Sequence, residues 1–229
     1  MAGIQPFAVT VGDLCFCHWP VEADALARSV PDWLTVDTAA GSAWLTAVPA
    51  TVTAIAAFGV DLASPAEIVT VRTPVRGPDG QRGLYHFAVV SDSTLAAATA
   101  TPLPHLPLRR GQHSRDPADG GDIRRRVHVD GQQLLTVTYR DTAEPTPAPP
   151  DSLASFLLER RRYFTPGPLG SRLCGNVGRE PWPLAPVGAD VSAALSSALA
   201  VPDPIGDPVC QYSPGTELHV DPPRPTWLD

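Results

Sequence analysis

The chain has 229 residues, a net charge of −7 and 43% hydrophobic residues, which excludes wholesale disorder and gives room for one large domain or two small ones. The sequence contains no lysine, so all 17 basic residues are arginine. This excludes a Schiff-base lysine, a P-loop lysine and a lysine general base. The 27 prolines disfavour long helices, so we expect short strands joined by many turns.

The composition also bears on partners and location. A net negative charge argues against a dedicated nucleic-acid-binding protein. The first ten residues lack the charged and apolar regions of a signal peptide. The uncharged run over residues 38–60 is too dilute in apolar residues for a membrane span and predicts two buried strands broken near Pro49. We therefore expect a soluble cytoplasmic protein that binds neither membrane nor nucleic acid. The sequence leaves open whether it forms a homo-oligomer.

The first half of the chain is predicted to be rich in strands. Strands are expected over residues 14–19, 33–36, 43–48, 68–75 and 84–91, with a short helix over 22–29 and a turn-rich loop over 77–83. The strand over 68–75 shows strict alternation, which places Glu67 and Arg72 on opposite faces. They meet at one site only if a β-bulge intervenes.

The strongest local signal is Asp130-Gly131, a dipeptide typical of a two-residue hairpin turn. It predicts a hairpin over residues 122–140, with 124–129 paired to 132–138. A two-residue turn would set Arg124, Arg126 and His128 beside Leu135, Val137 and Tyr139. Either the register slips, or that face of the hairpin lines something polar.

The C-terminal third begins with a proline-rich connector over residues 144–150. A helix is predicted to begin at Asp151 or Ser152 and to end at Pro166; its apolar stripe is Leu153, Phe156, Leu157 and Phe164. A second helix is expected over 191–200, and strands over 209–212 and 216–220. The connector is compatible with two domains, but we interpret residues 1–229 as a single barrel-like domain.

The four cysteines do not form a disulfide-rich framework. Cys15 and Cys17 lie on one face of a predicted strand, with His18 on the other. No second Cys-x-x-Cys or histidine pair at ligand spacing completes a metal site. We therefore expect buried thiols, no metal and no cofactor.

Several segments, in order along nearly the whole chain, resemble the YqjF-like family of uncharacterised bacterial proteins. They are residues 16–21, 37–44, 71–73, 83–87, 156–160, 181–184 and 212–215. The resemblance implies a fold related to acetoacetate decarboxylases: a mostly antiparallel β-barrel with a central cavity and two or three peripheral helices. Gly178-Arg179 departs from these relatives, which often carry histidine before the Pro-Trp-Pro-Leu segment.

The decarboxylases themselves resemble this chain over residues 67–110. Glu67, the segment 83–85 and the segment 105–109 follow in the order of the decarboxylase's glutamate strand, Gly-x-Tyr strand and lysine segment. The positions similar to the paired lysines hold Leu108 and Arg109. A guanidinium stays protonated and cannot form an imine. The resemblance therefore implies the barrel without Schiff-base decarboxylation.

Glu67 and His18 are the candidate catalytic residues. A desolvated carboxylate at Glu67 would have a raised pKa suited to acid–base work; the alternative is a surface carboxylate paired with an arginine. His18 can act as acid or base near neutrality, and its alternative is a core histidine bonded to the backbone.

Six further residues are candidates for substrate binding. Arg72 is either a binding group or a structural partner. His86, between Tyr85 and Phe87, lines a cavity if those aromatics face outward and meets solvent if they fill the core. The remaining candidates are aromatic residues expected in core or pocket wall: Trp19, Tyr85, Trp182 and Tyr212.

Two functions fit this pattern. The first is an enzyme, an isomerase, lyase or cyclase, that acts on a carbonyl compound such as a polyketide in the barrel cavity by acid–base or conformational control. The second is a non-catalytic protein that binds a small molecule in a barrel of the same shape. Two ionisable side chains converging inside the cavity would favour the enzyme.

Overall fold

The computed structural model describes residues 7–63, 65–93, 105–140 and 143–226. The described part is mostly β-structure with three short α-helices, as predicted. The helices are α1 (Ala23–Ala27), α2 (Leu153–Leu158) and α3 (Leu195–Leu199). The strands are β1 (Phe7–Val21), β2 (Thr35–Val36), β3 (Ala43–Ala57), β4 (Val60–Ala63), β5 (Ala66–Arg76), β6 (Arg82–Ser91), β7 (Leu108–Arg110), β8 (Gln112–Pro117), β9 (Ile123–Val129), β10 (Gln132–Tyr139), β11 (Thr146–Pro147), β12 (Arg162–Pro166), β13 (Arg172–Gly178), β14 (Pro183–Pro186), β15 (Ala189–Ala193), β16 (Val209–Val220) and β17 (Arg224–Pro225).

The main sheet closes on itself. Its strands follow the order β16-β1-β3-β5-β6-β12-β13, and β13 pairs again with β16 through Val177 opposite Val220. Among these neighbours only β6 and β12 run parallel. Closure removes the exposed edges of the sheet and encloses an interior. The predicted barrel is therefore confirmed, with one parallel pair in an otherwise antiparallel ring.

A second sheet, in the order β15-β10-β9-β8, packs against the outer face of the barrel. Side chains of β1, β3, β5 and β6 that point away from the barrel interior form one apolar layer with those of β9 and β10. Trp19, Cys15 and Cys17 from β1 belong to this layer, together with Tyr139 from β10. A different apolar cluster, which includes Phe16 and Trp182, fills part of the barrel interior.

Bulges decide which side chains of β1 and β3 face the interior. The pairing of β1 with β3 shifts between Thr10 and Val11 and again between Gly12 and Cys17. Asp13, at the second shift, has a positive φ of 50°, which is typical of a bulge. Before it Val9 and Val11 face inward, whereas after it the inward residues include Phe16.

The break predicted near Pro49 is wrong, because β3 runs through this residue without interruption. The ladder between β1 and β3 has no paired residues between Ala47 and Thr51, so the missing N–H of Pro49 leaves no hydrogen bond unmade on that side. The burial predicted for this segment is confirmed along most of β3.

The two helices predicted in the C-terminal third are shorter than expected. The first ends at Leu158, and Phe164 lies instead in β12 opposite Cys174. The second begins only at Leu195, because Val191 pairs with Val137 in a strand. In both places the spacing of the apolar residues is helical and a proline marks the predicted end. Pairing with a strand distant in sequence overrides this local preference. The two predicted C-terminal strands are one continuous strand, β16.

The predicted hairpin is present, and its register slips. Gln133 pairs with His128, but Leu135 pairs with Val127, so one residue is bulged out of β10. The slip sets Val137 opposite Arg125, which lies on the same buried face of β9 as Val127 and is only 3% exposed. The first of the two alternatives for this hairpin is therefore confirmed.

No helix in the ranges that the structure describes is long and apolar enough to cross a membrane.

Candidate functional site

The barrel encloses a cavity of about 180 Å³. Its wall is mostly apolar, and its charged side chains are all arginines among the described residues. The lining residues are Val9, Val11, Val52, Ile55, Ile68, Thr70, Arg72, Leu84, His86, Val89, Ser91, Leu106, Leu108, Leu158, Arg160, Arg162, Tyr163, Val177, Arg179, Trp182, Leu218 and Val220. A void of this size is unusual in a close-packed interior, where few gaps exceed a water molecule.

Arg72 is a charged group of this cavity that lacks a carboxylate partner. It projects inward from β5 on the same face as Ile68 and Thr70. Its Nε is buried without a hydrogen-bond partner, and its guanidinium forms no ion pair with any carboxylate in the described ranges. Burial and the nearby Arg179 lower the pKa of Arg72 to about 10, so it stays protonated at neutral pH. An unpaired buried cation is costly, and a bound anion would offset that cost.

His86 is the neighbour of Arg72 across the β5–β6 ladder. A bulge at this point, where Val71 pairs with Ala88 but Arg72 pairs with His86, leaves Phe87 unpaired. The bulge changes the phase of β6, so that His86 and Val89 both face the cavity. Of the two orientations open from the sequence, His86 lining the cavity is the one observed.

The His86 imidazole is neutral at physiological pH, because burial first and the charge of Arg72 second lower its pKa to about 3. Its Nδ1 is buried without a hydrogen-bond partner. A neutral imidazole beside a cation can accept a proton once a bound anion compensates the positive charge. Arg72 and His86 therefore form a pair of ionisable groups inside the cavity.

Two other arginines of the wall are neutralised by carboxylates. Arg160 donates to Asp37 at 2.8 Å, and both side chains are almost fully buried. Arg179 donates to Glu159 at 3.0 Å and stacks over the Trp182 ring at 4.7 Å. Sequence reasoning missed both arginines as cavity residues, although their place in an arginine run and beside the Pro-Trp-Pro-Leu segment was a usable signal.

Glu67 lies outside the cavity, on the opposite face of β5 from Arg72, as strict alternation predicts. Its carboxylate accepts hydrogen bonds from Thr51 at 2.9 Å and from Nη1 of Arg125. Arg125 also donates to the side chain of Asp13 at 2.6 Å and to the Tyr139 hydroxyl at 3.1 Å. Glu67 is thus part of a polar network that joins the barrel to the second sheet. This corrects its assignment to a cavity site; the alternative, pairing with an arginine, is what the structure contains.

His18 is fully buried and does not line the cavity. Its Nδ1 lies 2.8 Å from the Thr46 hydroxyl, and its Nε2 lies 3.2 Å from Gln211 Oε1. Burial and the charge of Arg72 lower the pKa of His18 to about 3. Because both ring nitrogens are occupied and no surface is free, His18 has no direct contact with a ligand in the cavity. It acts as a core histidine bonded to side chains.

The aromatic candidates separate into two groups. Trp182 lines the cavity and meets Phe16 edge to face at 5.2 Å. Trp19 and Tyr212 lie in the apolar layer between the barrel and the second sheet, outside the cavity lining. Tyr85 also points away from the cavity, because it precedes His86 on β6. Only Trp182 of these four is therefore in position to touch a ligand in the cavity.

The segment that resembles the decarboxylase lysines forms part of the cavity wall. Leu106 and Leu108 line the cavity, with Leu108 on β7 beside Val89. Arg109 is exposed and donates to the carbonyl oxygen of Ala198 at 3.3 Å. An apolar side chain therefore stands where the resemblance places an amine.

A larger open groove of about 640 Å³ lies outside the barrel beside α2. Arg160 and Arg162 line both this groove and the cavity. Arg82 also lines the groove, and its guanidinium lies 3.5 Å from the buried carboxylate of Asp37. The groove is open to solvent, and two of its arginines, Arg82 and Arg160, share the carboxylate of Asp37, so the barrel cavity is the better candidate site.

All four cysteines are buried, as expected. Cys15 and Cys17 lie with their sulfur atoms 3.8 Å apart in the layer between the sheets, and Cys210 is paired opposite Cys17. Across the described ranges, no cluster of three or more histidine, cysteine or acidic side chains has a geometry suited to a metal ion.

Comparison with known proteins places these features in a family. Residues 9–217 match the model of DUF2071, described as an uncharacterized conserved protein. The chain belongs to this family. It is 29% identical over 216 residues to the uncharacterized protein YqjF of Bacillus subtilis strain 168, and the match covers 92% of this chain and 88% of that protein.

Solved structures share the fold at low identity. An acetoacetate decarboxylase matches with a TM-score of 0.70 and 13% identity, over 96% of this chain and 88% of that one. The decarboxylase of Legionella pneumophila gives a TM-score of 0.67 and 9% identity, over 96% and 87%. The enduracididine biosynthesis enzyme MppR, complexed with pyruvate, gives 0.69 and 12%, over 98% and 91%. The DUF2071 chain therefore has an acetoacetate decarboxylase-like fold.

Proposed function

We propose that this protein binds a small carboxylate-bearing carbonyl compound in the barrel cavity and catalyses a proton transfer on it. The observation that carries the proposal is Arg72, a buried guanidinium that faces the cavity and has no carboxylate partner in the described ranges. A ligand carboxylate would supply the missing counter-charge and accept charge-assisted hydrogen bonds. Pyruvate, with which MppR forms a complex, belongs to this chemical class and supports the choice.

His86 is the residue we assign to the proton transfer. It pairs with Arg72 across the ladder and shares the same cavity. With a carboxylate bound at Arg72, the neutral imidazole can take a proton from the carbon next to the ligand carbonyl. The C–H electron pair then forms a carbon–carbon double bond and the carbonyl oxygen becomes an enolate oxygen. Return of the proton to carbon from the imidazolium completes an isomerase-type cycle, and elimination or ring closure from the enolate would give a lyase or cyclase.

Imine chemistry is not part of this proposal, because the sequence has no lysine and Leu108 faces the cavity. The charged lining offers acid–base chemistry, through His86 and the arginines. A non-catalytic binding protein is the second candidate. It is favoured by the largely apolar wall, which has a single histidine and no carboxylate among the described lining residues.

Exchange of carbon-bound hydrogen distinguishes the two candidates. The protein is incubated with pyruvate in D₂O, and deuterium incorporation into the methyl group is followed by NMR, with pyruvate affinity measured by calorimetry. We expect catalysed exchange that His86→Asn lowers about 10²–10⁴-fold while pyruvate still binds. Arg72→Gln should weaken binding at least about tenfold, because it removes the counter-charge.

Arg110→Gln is the matched control, since Arg110 is an exposed arginine outside the cavity lining; it should leave both affinity and exchange unchanged. Binding that depends on Arg72 without any exchange would favour the binding protein. Pyruvate affinity that is equal in Arg72→Gln and in the unmodified protein would contradict the proposal as a whole.

A further inference from the structure

The cavity has a polar end and an apolar end. Arg72, Thr70 and Ile68 face it in sequence along β5. A strand advances about 3.4 Å per residue, so Ile68 lies about 14 Å from Arg72 along the strand. Arg72 sits at the end of the cavity that also holds His86.

The register defines the apolar end more closely. Val9 is paired on one side with Leu218 of β16 and on the other with Ile55 of β3. All three line the cavity, so three adjacent strands place a row of branched apolar side chains there. Val11 and Val52, also paired with each other, add a second row.

The apolar end is kept open rather than filled. The cavity volume of about 180 Å³ corresponds to about six water molecules in the liquid. Voids lined by valine, leucine and isoleucine side chains stay dry and bind apolar groups. A charged ligand as small as pyruvate would satisfy Arg72 but leave this end without a contact.

We infer that the ligand is a medium-chain monocarboxylate, with its carboxylate at Arg72 and an unbranched hydrocarbon chain directed toward Val9, Ile55 and Ile68. The inference rests on the proposed carboxylate site and names its substrate class. Each methylene buried in an apolar site contributes enough to raise affinity about fourfold. The cavity volume limits this gain to chains of about six carbon atoms.

A series of straight-chain 2-oxo acids from pyruvate to 2-oxodecanoate tests the inference by calorimetry on the full chain. We expect affinity to rise about fourfold per methylene and to level off near about six carbons. 2-Oxoglutarate should bind at least about tenfold more weakly than 2-oxopentanoate, because it carries a second carboxylate into the apolar end.

Ile68→Phe supplies the variant. Its larger side chain fills the apolar end, so chains longer than about four carbons should lose affinity while pyruvate affinity stays the same. Ile205→Phe, at a position that is 55% exposed, is the control and should change neither. Ile55→Ala should move the limit toward longer chains, which keeps the test informative if the Ile68 variant does not fold.

An affinity that is flat or falls with chain length, or tightest binding by 2-oxoglutarate, would overturn this inference. If pyruvate then still binds in an Arg72-dependent manner, the proposed function stands and only the ligand class is wrong. If no member of the series binds, both are wrong.

Discussion

Glu67 and Arg125 allow a structural role to be separated from a catalytic one by measurement. Arg125 is 3% exposed and donates to Glu67, Asp13, Thr51 and Tyr139, so it joins β9 to the barrel and to β10. Glu67→Gln leaves Asp13 as the remaining carboxylate partner. A hydrogen bond to a charged group contributes about 1.5–3 kcal/mol, and Glu67 is 21% exposed, so we expect a loss of about 1–2 kcal/mol. Arg125→Leu leaves Glu67 without an arginine while Asp13 keeps Arg115, and it should cost about 3 kcal/mol.

Urea unfolding at pH 7 measures both losses. Glu217→Gln is the control: Glu217 is 55% exposed, and this change should stay within about 0.5 kcal/mol. Pyruvate affinity and methyl exchange should be unchanged in Glu67→Gln, because Glu67 is not part of the cavity wall. A Glu67→Gln protein with normal stability but no exchange would refute the reasoning and return this residue to the active site.

Three further predictions concern buried groups and the backbone. Burial lowers the pKa of His18 and His86 to about 3, so below pH 6.5 the unfolded state binds protons that the folded state does not. The free energy of unfolding should therefore fall as the pH drops from 6.5 toward 3, by up to about 1.4 kcal/mol per pH unit for each histidine. Urea unfolding between pH 7 and 5 measures this slope, and an unchanged slope in His18→Gln would contradict the assignment. Gly215→Ala should lower the melting temperature strongly, because φ at Gly215 is 118° and an added Cβ would lie 2.0 Å from the carbonyl oxygen of Val11. A melting temperature within about 2 °C of that of the unmodified protein would argue against this close approach. Borohydride added with pyruvate should leave no reduced adduct on any side chain by peptide mass mapping, since there is no lysine, and an adduct would reveal imine chemistry.

The fold could be predicted where local chemistry is decisive. The Asp130-Gly131 turn fixes its hairpin because both residues adopt positive φ angles, 52° and 78°. Strict alternation likewise placed Glu67 and Arg72 on opposite faces of β5, as observed. Helical periods in short proline-bounded segments were misleading, since Phe164 and Val191 both belong to strands. In those segments the pairing partner, which is distant in sequence, determines the structure.

The site could be predicted only in part, because bulges reset the side-chain phase. His86 faces the cavity through the unpaired Phe87, and Val137 and Tyr139 reach the face of Arg125 through one residue bulged from β10. Neither bulge has a glycine or proline at the displaced residue that would announce it in the sequence. Without those two shifts, His86 would leave the cavity and the Tyr139 hydroxyl would lose its contact with Arg125. Long-range pairing, rather than residue type, therefore decided which polar groups were functional candidates.

The distribution of arginine partners gives the strongest reason to place a ligand in the barrel. With 17 arginines and 24 acidic residues, this chain has enough carboxylates to neutralise every cation. Arg125 and Arg160 are buried and meet carboxylates on neighbouring elements. Arg72 is left without a carboxylate within the described ranges, next to a void and to a neutral histidine. A cation at that position lowers stability unless something else binds it. Such a cost is typical of a site whose counter-ion is supplied by the substrate rather than by the protein.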